Sequence, residues 1–353
     1  MPAGPVFHPL RLPAGSRYDC MIGTGGIGSG MFFALDGNHT LGREESRSGR
    51  LLDRRDYCKL HIIAHTVAVL LGPAIRVYPV GAVGNDAVGQ RLREEMQAAG
   101  LDLRQVRTLP DLPTLFAICY VYPDGAGGNL TVNDSASAHV APDWITGTDT
   151  LFPANGSRTI VLAVPEVPLE TRQELLRTGT RHGAFRAASF ASGEMETVRH
   201  NRLLANVDYL AINAHEATLL AGIDPAAEPE AIARQTTRHL HTEWPHLRLT
   251  ITAGKAGSWA WDGSHLTHQS PPPVAVASTA GAGDAFMSGM LAGHAAGLSW
   301  QDAQQLATLT GAGSVTSPHT IHPGLDRTCL HKLVLDSGVK LAPAVAALLE
   351  NPS

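Results

Sequence analysis

Ser278-Thr279-Ala280-Gly281-Ala282-Gly283-Asp284 lies between two apolar segments. Residues 274–277 before it read as a short strand or an extended segment. Residues 285–296 after it read as a helix, apolar or small nearly all round and therefore buried. A glycine-bearing turn that opens a helix is an anion site on elementary grounds. Glycine lets the backbone approach a phosphate closely. The first helical N–H groups have no intrahelical partners, and the positive end of the helix dipole lies behind them. Asp284 falls at the first helical position or at the N-cap, where the dipole favours a carboxylate. It has two compatible readings, a helix cap or a catalytic base beside a phosphate-binding turn.

Upstream of this turn, from residue 159, strand-like and helix-like segments alternate. Strands are expected at 160–164, 184–191, 209–212 and 247–252. Helices are expected at 169–178, stopped by Gly179, and at 194–204. Such alternation predicts a parallel sheet with crossover helices, whose ligands lie at the carboxyl ends of the strands. Two motifs fall at such ends. Asn213-Ala214-His215-Glu216 opens a helix with the spacing of a capping box. Thr252-Ala253-Gly254-Lys255-Ala256-Gly257 is a turn with two glycines, followed by a hairpin over 258–261 and 265–268. A helix over 300–316 carries Gly311-Ala312-Gly313, and a loop and one or two helices follow residue 318.

The N-terminal half starts with an irregular arm, residues 1–17, and a strand over 18–23. Gly23-Thr24-Gly25-Gly26-Ile27-Gly28 matches G-x-G-x-x-G, the fingerprint of a dinucleotide-dependent oxidoreductase. That fingerprint needs a helix after the glycines, and here a second strand, 31–35, follows instead. Residues 36–55 are charged and read as a loop. A helix is expected over 56–71, with Leu60, Ile63, Val67 and Leu71 on its buried face and Gly72 at its end. A strand over 75–83 leads to Asp86, a candidate N-cap for a helix with Val88, Leu92 and Met96 on one face and Gly100 at its end. Residues 115–122 and 129–132 read as a β-hairpin around Pro123-Asp124-Gly125.

The 353 residues suit one large domain or one with a small attachment, and 44% hydrophobic residues suffice for its core. A net charge of −5 gives no basic field for nucleic acid. Cys20, Cys58, Cys119 and Cys329 are widely spaced, which favours free thiols over disulfides or a zinc site. No apolar run approaches membrane-spanning length, and the Pro-rich start does not read as a signal peptide. The expectation is a soluble cytoplasmic protein without nucleic-acid or membrane partners.

The 278–284 stretch resembles the C-terminal signature of the ribokinase-like family, the PfkB carbohydrate kinases, Asp-Thr-x-Gly-Ala-Gly-Asp, with Ser278 in place of the leading Asp. The resemblance covers residues 18–316. The Asn213 and Thr252 motifs are similar to the family's Asn-x-x-Glu and Thr-x-Gly-x-x-Gly and stand in its order. The resemblance implies an α/β fold, a three-layer αβα sandwich with a central mostly parallel sheet and a small β-sheet lid. It implies a kinase domain over 18–340, with lid strands around 30–36 and 115–133 and a tail over 341–353. Asp284 would deprotonate the acceptor hydroxyl, and the N–H groups of Gly281, Ala282 and Gly283 would form an anion hole for the γ-phosphoryl group. Asn213, Thr252, Gly254, Gly257 and Ala312 would bind ATP, and Glu216 would hold Mg²⁺ through water.

The acceptor end departs from the family. Gly25, Gly26 and Gly28 stand where sugar kinases carry an Asp at the end of the first strand. Asp56-Tyr57-Cys58-Lys59 stands near the family's Gly-Gly pair. Asp36, Asn38, Arg43 and Lys59 are the candidate acceptor residues. Ser278 replaces an Asp that some members use for a monovalent cation. The expected activity is ATP-dependent phosphorylation of a sugar or related small molecule, with a homodimer joined through the lid. A nucleoside kinase and a non-catalytic ligand-binding or regulatory protein of the same fold are the alternatives.

Overall fold

The computed structural model describes residues 6–124, 127–153 and 156–350. Gly125 of the anticipated 123–125 turn, the first five residues of the arm and the last three of the tail lie outside them. The first half runs β1 (Cys20–Thr24), β2 (Gly28–Leu35), β3 (Gly49–Tyr57), α1 (Lys59–Leu71), β4 (Arg76–Gly84), α2 (Ala87–Ala98), β5 (Val106–Leu109), β6 (Leu115–Val121), β7 (Gly127–Thr131) and α3 (Pro142–Thr146). Next come β8 (Thr159–Ala163), α4 (Leu169–His182), β9 (Phe185–Ala188), α5 (Met195–His200), β10 (Tyr209–Asn213), α6 (Ala214–Ala221) and α7 (Pro229–Glu243). The chain closes with β11 (Arg248–Thr252), β12 (Ser258–Trp261), β13 (Leu266–Gln269), α8 (Ala282–Ala295), α9 (Trp300–Ser314), α10 (Arg327–Ser337) and α11 (Pro343–Leu349).

Nine strands form one sheet in the order β13-β12-β11-β10-β9-β8-β1-β4-β5. Pairing is parallel from β11 to β5, and β12 and β13 add an antiparallel hairpin. Successive side chains of a strand face opposite sides, and β1 splits accordingly. Met21 belongs to the core on one side, with Leu60 and Ile63 of α1 and Met290 of α8. Ile22 belongs to the core on the other side, with Leu175 of α4, Ala217 of α6 and Ile232 of α7. Two helical layers therefore sandwich the sheet, as expected. A separate sheet, β3-β2-β6-β7, carries parallel β2–β6 pairing between two antiparallel pairs. The chain order reverses direction at β1, which has β4 on one side and β8 on the other. Ligand sites of open parallel sheets lie at such a reversal, outside the carboxyl ends of the strands.

Several expectations need correction. The loop expected over 36–55 ends at Ser48, because residues 49–57 form β3, and α1 starts at Lys59 rather than residue 56. β3 is an edge strand, and charges on an edge discourage pairing with other chains, so its composition mimics a loop. Residues 274–277 belong to no strand, and Ala277 N–H donates to Val315 O. The helix α4 runs through Gly179 to Gly183, the residue with positive φ. At Gly179 the bare backbone lies against Val161 of β8. Asp86 does cap α2, accepting from Gly89 N–H at 2.7 Å, but Val88 is exposed while Leu92 and Met96 are buried. The glycines after β1 enter β2 and not a helix, which removes the dinucleotide reading. Leu10 and Arg11 of the arm donate to Leu70 O and Leu348 O, and α11 buries Val345, Leu348 and Leu349 in the larger core.

Candidate active site

The 278–284 turn delivers its residues to the N-terminus of α8. Gly281 is the N-cap at φ 74°, and Thr320 O would lie 2.9 Å from a Cβ placed there. Both facts favour glycine. Asp284 is the third residue of the helix, inside the first turn, and not the cap or first position. The dipole still favours its carboxylate. Ala282 N–H turns back to Thr279 O at 3.3 Å, whereas Gly283 is exposed, with open space beside its Cα. The apolar helix behind Asp284 is buried from Ala285 to Ala295, so the turn rests on a rigid base.

Lys59, the first residue of α1, reaches this turn from 225 positions away. Its Nζ donates to Asp284 Oδ1 at 3.1 Å. The two side chains are 35% and 14% exposed, so the pair is only partly open to solvent. Asp284 raises the Lys59 ammonium above its ordinary range, while burial works against it. The two residues line one cleft with Gly283, Asn213, Glu216, Thr252, Ser189 and Phe190. These come from the ends of β10 and β11, the segment after β9, and the starts of α1, α6 and α8.

The capping box of α6 is present. Glu216 N–H donates to Asn213 Oδ1 at 2.8 Å, and Asn213 N–H donates to Glu216 Oε2 at 2.9 Å. Burial raises the Glu216 carboxyl, and Lys59 opposes that rise. Gly254 and Gly257 turn the chain from β11 into β12, outside the cleft lining. Ala312 is buried in the larger core, also away from the lining. Among the described residues, no cluster of three or more His, Cys, Asp or Glu is poised around a metal.

Of the acceptor candidates, only Lys59 joins this cleft. Asp36, Asn38 and Arg43 are exposed on the loop between β2 and β3, where Asn38 Oδ1 accepts from Asp124 N–H at 3.0 Å. Two carboxylates that sequence reasoning missed stand nearer. Glu166 follows β8 at φ 78°, a left-handed conformation uncommon for a residue other than glycine. Its Oε2 accepts from Lys59 N–H at 3.3 Å. Burial pushes the Glu166 carboxyl up to about 7, with Lys59 pulling the other way. Asp56, at the end of β3, is buried and raised by that burial, with Cys119 and Thr320 as its side-chain partners. Glu166 was visible as a carboxylate just beyond an apolar strand, at the carboxyl end where ligands are expected. Asp56 carried no such signal, because its strand was read as part of a loop and helix.

Chemically, the cleft offers a helix N-terminus, a carboxylate on it, an ammonium against that carboxylate, and a buried carboxylate with an amide at the next strand end. This is the equipment of a phosphoryl-transfer site. The family comparison agrees. Residues 63–327 match the model of the pfkB family carbohydrate kinases, and the chain belongs to that family.

Over 67 residues the chain is 42% identical to fructoselysine 6-kinase of Shigella flexneri, covering 19% of this chain and 26% of the relative. Over 96 residues it is 36% identical to fructokinase of Klebsiella pneumoniae, covering 27% of this chain and 29% of the relative. The chain thus matches only about a quarter of the length of these relatives. Among solved structures it is similar to a ribokinase from Cryptococcus neoformans var. grubii serotype A in complex with ADP. The TM-score is 0.72 at 18% identity, over 90% of this chain and 99% of the other. A Burkholderia thailandensis nucleoside kinase in complex with inosine gives a TM-score of 0.68 at 19% identity, over 91% and 99%. At such identities these structures speak for the fold alone.

Proposed function

We propose that this protein is an ATP-dependent kinase that transfers the γ-phosphoryl group to a hydroxyl of a sugar or related small molecule. The observation that carries the reading is Asp284 on the first turn of α8, in one cleft with Asn213 and Glu216. Asp284 accepts the proton of the acceptor hydroxyl as its oxygen attacks phosphorus. The N–H of Gly283, an exposed residue, faces the charge on the transferring group, with Gly281 and Ala282 forming the turn beside it. Asn213 and Thr252 stand on the nucleotide side, with Gly254, Gly257 and Ala312 shaping the turn and helix around it.

A divalent cation fits this donor set in one form. A single buried carboxylate, Glu216, suits Mg²⁺ that arrives with water and phosphate ligands, not a closed protein cage. When bound, the ion would neutralise charge on the nucleotide phosphates. The β3-β2-β6-β7 sheet is the lid over the acceptor, and two copies meet through it. The four free thiols suit a cytoplasmic setting. Among the described residues, no helix is long and apolar enough to cross a membrane.

The test is a thermal-shift and ADP-release screen with fructose, fructoselysine, ribose and inosine, each with Mg²⁺ and nucleotide. Native-state ligands raise the melting temperature. The reading expects at least one sugar to release ADP in a Mg²⁺-dependent way. No ADP release with any acceptor, together with no stabilisation by nucleotide, would contradict it.

A further inference from the structure

The ammonium of Lys59 is already engaged, and by the group that must act as base. Nζ donates to Asp284 Oδ1 at 3.1 Å. The residue is held from behind as well. Cys58 gives α1 no side-chain cap, and Glu166 Oε2 accepts the Lys59 N–H in its place. Among the described residues, Lys59 is the only basic side chain lining the cleft, and its neighbours there include Gly283, Asn213 and Glu216. A carboxylate oxygen bonded to an ammonium is a poor acceptor for an alcohol proton. A nucleotide's terminal phosphate carries more negative charge than one carboxylate and is a stronger partner for the same ammonium.

Resting on the kinase reading above, we infer that Lys59 exchanges partners during the reaction. It neutralises Asp284 in the free enzyme and moves to a γ-phosphoryl oxygen when nucleotide enters. The exchange frees Asp284 Oδ1 and sets a cation on the group in transfer. In the step itself, the acceptor oxygen forms a bond to phosphorus and its proton passes to the Asp284 carboxylate. The bond from phosphorus to the β-phosphate oxygen breaks, and ADP leaves with that electron pair. Lys59 keeps its protons throughout. Its role differs from that of an acceptor ligand, because its contact is with the one phosphate that distinguishes ATP from ADP.

The experiment compares wild type, Lys59→Met and Lys59→Arg by calorimetry with a non-hydrolysable ATP analogue and, separately, with ADP, at fixed Mg²⁺. Lys59→Met should weaken the analogue by about tenfold or more, the worth of a charged hydrogen bond, while ADP affinity stays within about twofold. Lys59→Arg should retain most of the analogue's affinity. With a turned-over acceptor, Lys59→Met should lower kcat by roughly a hundredfold or more and leave acceptor KM within about threefold. Equal weakening of analogue and ADP, or a change confined to acceptor KM, overturns the exchange. Should Lys59→Met fail to fold, equal loss of analogue and ADP by Lys59→Arg overturns it alike. Wild type that binds neither nucleotide overturns the kinase reading beneath it, which separates the two failures.

Discussion

Replacing Glu166 by Gln should remove a pH dependence from the stability of this fold. Burial holds the Glu166 carboxyl near 7 in the native chain, against an ordinary value of 4.5. Between those values the native state keeps a proton that the unfolded chain has released. Stability from this group is therefore greatest below 4.5 and falls as pH rises towards 7. At about 1.4 kcal/mol per pH unit the full gap corresponds to about 3 kcal/mol, of which about 2 lies between pH 5 and 7.5. Gln approximates the neutral acid at every pH. Its carbonyl oxygen can still accept from Lys59 N–H, so the cap on α1 survives. Reversible urea denaturation followed by tryptophan fluorescence, at several values from pH 5 to 7.5, measures both proteins. The variant should gain about 2 kcal/mol on wild type across that range. A difference that does not change with pH, or one that moves in wild type's favour as pH rises, would refute the reasoning.

Three further outcomes are expected. Glu216→Gln should raise the Mg²⁺ concentration for half-maximal activity by about tenfold while acceptor KM stays put; an unchanged titration would leave Glu216 as part of the α6 cap only. In Gly28→Ala the new methyl would lie 2.5 Å from Leu115 O of the paired strand β6. That overpacking should cost about 1–3 kcal/mol and lower the melting temperature by roughly 2–8 °C, and an unshifted melt would mean that β2 and β6 separate freely. Alanine at Asp36, Asn38 or Arg43 should raise acceptor KM and leave ATP KM within about threefold, as lost uniform binding does. A variant set that moves neither constant would make this exposed loop mere solvated surface.

The Asn213 and Asp284 side of the cleft was legible because its signals are local. A strand end, a turn and a helix start sit within a few residues at Asn213 and at Gly281, so spacing alone describes them. The parallel sheet followed from alternation over 159–252 for the same reason. The surroundings of Lys59 are built by contacts between distant segments, which no window of sequence contains. Lys59 meets Asp284 only because α1 and α8 pack side by side in one layer. Glu166 takes a positive φ that its residue type gives no reason to expect. The edge strand β3 was hidden by the charges that suit it to an edge, and Gly179 looked like a helix stop when it marks close packing on β8.

The central claim is that Asp284 takes the acceptor proton in a phosphoryl transfer, and Asp284→Asn tests it most directly. Turnover of ATP with an acceptor from the sugar panel would be followed by phosphorus NMR, with nucleotide affinity and melting temperature measured on the same samples. The account predicts a loss of at least about a hundredfold in kcat, the scale of general-base catalysis, with nucleotide affinity and melting temperature nearly unchanged. A variant that keeps more than about a tenth of the wild-type rate would contradict it.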